Sequence, residues 1–199
     1  MRSVTRFRAA LVAGAITLLA AGPVSADTVG GNGNMDLASA NDATGNVNVQ
    51  LIRDNAAGTA TMYVSWGVSV QTTCQDGSTA WSDWWFNGEG PATSVAFGHS
   101  ESSASGAAVV TGMTDFYDPC TGSYSSGIES HAVGLALIGS KITTTYSSRV
   151  STRNPDGTTT VSTFKDIEAF ASGTVVIDGA SSTAQNGVIR HQVWTTRTH

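Results

Sequence analysis

Residues 59–74 alternate almost without a break. Ala60, Met62, Val64, Trp66, Val68, Val70 and Cys74 fall on one parity, and Thr61, Tyr63, Ser65, Ser69, Gln71 and Thr73 on the other. A helix would scatter both sets around its axis, whereas a pleated strand sends them to opposite faces. At about 3.3 Å per residue the segment would span about 50 Å, so a bend or bulge is expected at Gly67.

The same period recurs along the chain. Residues 46–54 alternate through Val47, Val49 and Leu51, and further strand candidates are 80–86, 93–101, 107–116, 142–152, 158–165, 169–177 and 188–196, with 128–138 nearly all apolar and so expected to be covered on both faces. Turn chemistry separates several of them: Asp76-Gly77, Asn154-Pro155-Asp156-Gly157, Asp178-Gly179 and Asn186-Gly187. Helix formers are scarce, with four Leu, four Glu and two Lys in residues 27–199. The expectation is all-β: a single antiparallel domain of about nine or ten strands, with a barrel-like meander favoured over a β-sandwich because closure removes exposed edges. Lipocalin-like barrels are the nearest similar architecture, but their Gly-x-Trp signature is missing, so no functional residue carries over. A membrane-spanning barrel is disfavoured, because the Thr- and Ser-rich residues 143–163 supply no continuous apolar band.

The N-terminus reads as an address. Arg2, Arg6 and Arg8 precede an apolar run over residues 9–21, Gly22-Pro23 breaks it, and Val24-Ser25-Ala26 places small residues before residue 27. This resembles a secretory signal peptide cleaved after Ala26. The run is shorter than the roughly 20 residues a spanning helix needs. The segment 27–45, with Gly30-Gly31-Asn32-Gly33-Asn34, shows no apolar period and reads as a flexible leader. It comes near a calcium-binding GGxGxD repeat, but the acid falls one place late, at Asp36.

Charge narrows the partners. Cleavage after Ala26 would remove three of the ten bases and none of the fifteen acids, leaving a net charge of −8. Such a domain repels phosphate backbones and anionic lipid, so neither nucleic acid nor a membrane is expected as a partner once the signal is cleaved. Cys74 and Cys120 are the two cysteines, and an exported chain places them in a disulfide. Neither has a histidine within ten residues, so no metal site is expected, and no cofactor motif appears. Nucleophile-elbow, zincin, P-loop and dinucleotide patterns are absent as well.

Two constellations carry chemistry. His99 and Glu101 share a strand parity, as do Glu129 and His131; if the two strands ran side by side and antiparallel, both imidazoles and both carboxylates would meet. That requires a crossing connection, since residues 107–116 intervene. The second is aromatic. Trp81 and Trp85 share one parity and Trp84 and Phe86 the other, so both faces of this strand are aromatic. No role is expected for His191 or His199. The functional expectation is a secreted, non-catalytic binding or surface-interaction domain using Trp81, Trp84 and Trp85 on a glycan, a small apolar ligand or a surface protein. The alternatives are a hydrolase or isomerase working through His99, Glu101, Glu129 and His131, and a structural domain with no specific ligand.

Overall fold

A computed structural model of the chain describes residues 33–98 and 102–198. Among them, ten strands form one antiparallel sheet: β1 (Gly33–Asn41), β2 (Val47–Asp54), β3 (Thr59–Thr73), β4 (Thr79–Pro91), β5 (Thr93–Phe97), β6 (Ser103–Asp118), β7 (Ser123–Arg153), β8 (Thr159–Ile177), β9 (Ala180–Thr183) and β10 (Gln185–Thr198). Neighbours run β10-β1-β2-β3-β4-β6-β7-β8, and β8 pairs again with β10, so hydrogen bonds pass around a ring of eight strands. β5 lies beside β6 and β9 beside β8. The expected all-β meander is found, closed into an uneven barrel. Closure satisfies the backbone groups that a sheet of this length would otherwise present along two open edges.

The unevenness comes from β7. Its 31 residues pair with β6 over residues 123–138 and with β8 over residues 133–153, so the two ladders overlap on six positions only. The distal half of β7, the proximal half of β8 and the end of β10 therefore form a three-stranded projection. Sequence periodicity divides β7 at Gly139-Ser140 and β8 at residues 166–168, but both strands continue. In β7 two register shifts, between Gly139 and Lys141 and between Ile142 and Thr144, absorb the interruption.

Side chains of one parity fill the barrel. Ala38, Leu51, Met62, Phe86, Val110, Leu137 and Ile189 are each no more than 1% exposed, and Val49, Val133, Leu135 and Val175 pack with them. At one point in the wall between β4 and β6, side chains give way to glycine on both strands. Gly88 and Gly112 are cross-strand partners, and a Cβ on Gly112 would stand 2.1 Å from the Asn87 carbonyl oxygen. The two strands approach each other more closely there than any other residue permits.

One expectation is corrected and another narrowed. Gly33–Asn41 is not part of a flexible leader: it is β1, paired to β10 and β2 on either side. Its inward residues are Asp36, Ala38 and Ala40, all buried, and small side chains fit a narrow interior without producing an obvious apolar pattern. No bulge occurs at Gly67, where the ladder to β4 runs through in register. The glycine lies instead beneath the Trp85 indole, where an added Cβ would fall 3.4 Å from Cδ1.

Candidate binding face and the interior histidine

Strand parity splits the aromatic segment of β4. Phe86 is fully buried, and Trp84 turns inward, its ring meeting Trp66 edge to face at 5.0 Å. Trp81 and Trp85 face outward and are each 40% exposed. Of the three tryptophans picked out by the sequence, Trp81 and Trp85 thus share a surface, while Trp84 belongs to the interior.

The ladders show what surrounds them. Trp85 lies between Gly67 of β3 and Asp115 of β6, with Ser126 of β7 next in the same row. One row away are Asn87, Met113 and Ile128; on the other side are Asp83, Tyr117 and Tyr124. The Tyr117 and Tyr124 rings are 4.7 Å apart. Ser69 donates to Asp83 at 2.5 Å, and Ser126 donates to Asp115 at 2.5 Å, so both carboxylates are held in place with acceptor capacity to spare. The outer surface of β4, β6 and β7 is therefore an aromatic and apolar field set with fixed polar groups. The Cys74–Cys120 disulfide, with Cα atoms 5.4 Å apart, ties the β3–β4 turn to the β6–β7 turn and pins one end of this field.

His131 points inward from β7. Its Nδ1 is 2.7 Å from Asp178 Oδ2, while the other Asp178 oxygen accepts the Ala132 N–H at 2.8 Å. Asp178 adopts φ 49° at the turn between β8 and β9, which aims its carboxylate back at β7. The His131 hydrogen bond, then the Ala132 N–H, hold its pKa below the ordinary carboxylate value. The imidazole edge contacts Phe86 at 4.8 Å and Trp66 at 5.6 Å. Nε2 has no hydrogen-bond partner among the described residues and stands 3.4 Å from Glu129 Oε2. Asp178 is the partner that sequence reasoning missed, because Asp178-Gly179 is legible in the sequence only as a turn.

His99 and Glu101 lie outside the described residues, as do residues 1–32 and His199. The strand leading to His99, β5, pairs with β6 on the side away from β7, so Val95 and Leu135 are not neighbours in a ladder. Glu129 and His131 remain together; the juxtaposition with a strand carrying His99 that the sequence would require is not made by β5.

A second polar cluster has no counterpart among the sequence expectations. Asp36 is 5% exposed and accepts from Arg53 Nη2 at 2.6 Å, Asn55 Nδ2 at 2.6 Å and His191 Nδ1 at 2.5 Å. Arg53 in turn lies over the Phe97 ring, 4.7 Å from its centroid. Burial opposes ionisation of Asp36, but the hydrogen bonds from Asn55, His191 and Arg53, with the Arg53 charge, outweigh it and lower its pKa. His191, for which the sequence suggests no role, is the β10 member of this cluster. The sequence, compared with protein-family models and with curated proteins, and the fold, compared with solved structures, match nothing.

Proposed function

We propose that the chain is an exported, non-catalytic binding domain whose ligand is a glycan lying across the outer face around Trp81 and Trp85. The observation that carries this reading is the exposure of two tryptophans on one parity of β4, bordered by Asp83, Asn87, Asp115 and Ser126. Flat indole rings stack on sugar faces at little cost in side-chain entropy, while fixed carboxylates and amides accept and donate to hydroxyls. A small apolar ligand inside the barrel is less well supported, because Phe86, Leu51, Met62 and Leu137 already fill the interior. Collisional quenching of tryptophan fluorescence tests the glycan reading: a neutral polysaccharide that binds should shield the outer indoles. Unchanged quenching across a panel of β-glucans, xylans and chitin oligomers would count against it. Export is tested by intact mass, which should begin at Asp27.

An enzymatic reading draws on the Asp178–His131 pair, which fixes the imidazole with Nδ1 engaged and Nε2 toward Glu129. It is the weaker of the two, because Trp66 and Phe86 cover the ring. Glycan turnover lost in His131→Gln would favour it over the binding reading.

A further inference from the structure

Residues 27–199 contain seven basic side chains, and five of them (Lys141, Arg149, Arg153, Lys165 and Arg197) fall on the three-stranded projection of β7, β8 and β10. The other two, Arg53 and Arg190, are ion-paired, with Asp36 and with Glu168. Among the described residues, Arg149, Arg153, Lys165 and Arg197 are in no ion pair, and all four are exposed.

Register places these four on one face. Ser147, Lys165 and Val193 form one row; Arg149, Thr163 and Thr195 the next; Ser151, Val161 and Arg197 the third; Arg153 and Thr159 the fourth. Each row carries one cation and at least one hydroxyl. Rows two residues apart are separated by about 6.6 Å, so four positive charges recur over about 20 Å. The parity is that of buried Ala169 and Val175, so the face continues the barrel's inner wall. Asp166 and Glu168 are on the opposite parity, leaving no acid in these four rows. An open groove of about 500 Å³ follows part of the face, lined in part by Arg149, Thr163, Lys165 and Val193.

We infer that this face is a second binding site, for an acidic polysaccharide bearing carboxylate or sulfate groups. A linear chain of sugars offers what the rows offer in complement: anions at intervals with hydroxyls between them. A single-stranded nucleic acid would add bases that need a run of aromatic rings to stack on, and the four rows carry none; Tyr146, Phe164 and Trp194 are on the other parity, and of these Phe164 alone lines the groove. A bilayer would favour apolar side chains at its surface, and these rows supply only Val161 and Val193. The site is separate from the tryptophan face and does not depend on it.

The test uses the full exported protein and three probes of similar length: a heparin oligosaccharide, an oligogalacturonate and oligothymidylate, with neutral dextran as control. Binding is expected to at least one acidic sugar, not to dextran, and to weaken steadily with salt as counterion release predicts. Arg149→Gln with Lys165→Gln should weaken it by about tenfold or more, given the strength of hydrogen bonds to charged groups. Trp85→Ala should leave it unchanged, and unaltered circular dichroism would show that the double variant folds. No binding to either acidic sugar at low salt, retention of affinity in a folded double variant, or equal affinity for oligothymidylate would each overturn the inference.

Discussion

His191 and Asp36 face each other directly across the seam between the last strand and the first, Nδ1 2.5 Å from Oδ1. Arg53 is the next residue in the same row, on β2, so one buried carboxylate ties together β10, β1 and β2 where the first and last strands join. Breaking such a buried network by removing one partner strands the others. Arg53 and His191 keep side-chain exposures of 30% and 28%, so part of their charge stays solvated, and Asp36→Ala should cost about 1–3 kcal/mol, read from urea denaturation. A loss below about 1 kcal/mol would mean that the seam does not depend on it.

The same carboxylate sets a pH dependence. Against the opposing effect of burial, the hydrogen bonds from Asn55, His191 and Arg53 hold its folded pKa below the unfolded value of about 3.9. The stabilisation is therefore fully present above about pH 4 and lost as pH falls through the folded pKa. Wild type should lose stability more steeply than Asp36→Asn as pH falls through that window. Parallel curves would show that Asp36 is not the group responsible.

The disulfide closes a loop of 46 residues between two turns on the same side of the sheet. On the chain-entropy account this restricts the unfolded state by about 4 kcal/mol. Cys74→Ser with Cys120→Ser should lower the denaturation midpoint accordingly. Thiol titration of the unfolded, unreduced protein should find no free thiol; two per chain would contradict the pairing.

Gly112 faces Gly88 with no room for a side chain between their strands. Gly112→Ala should destabilise by at least about 1–3 kcal/mol, the usual range for overpacking. By contrast, Gly122→Ala, where nothing lies within 4 Å of the added methyl, should cost only the strain of φ 69°. Equal stability of the two variants would show that the strands can part there to admit a side chain.

Much of the fold is legible because large apolar residues alternate on β2 and β3, and period two leaves only strands; residues 128–138 read as an apolar run covered on both faces, but Ile128 and Ile138 are exposed and, of its large apolar residues, Val133, Leu135 and Leu137 alone face the core. β1 is hidden because Ala38 and Ala40 are small, so burial leaves no contrast with Ser39 and Asn41. The length of β7 is hidden because Gly139-Ser140 resembles a turn, whereas a bulge carries the chain through. At the site, parity alone sorts Trp81 and Trp85 from Trp84. Pairings that join distant segments leave no local trace: Asp178 to His131 is 47 residues apart, and Asp36 to His191 is 155.

Affinity electrophoresis through gels containing the neutral polysaccharides reads out sugar binding at the proposed site on the outer face of β4. Wild type should be retarded by at least one polymer; Trp81→Ala with Trp85→Ala should migrate as if the polymer were absent, while unfolding within about 1–2 kcal/mol of wild type because both rings are partly exposed. Trp84→Ala, which removes a partly buried ring packed edge to face on Trp66, should instead lose about 2–3 kcal/mol. A folded double variant that is retarded as strongly as wild type would show that the tryptophan face is not the sugar site.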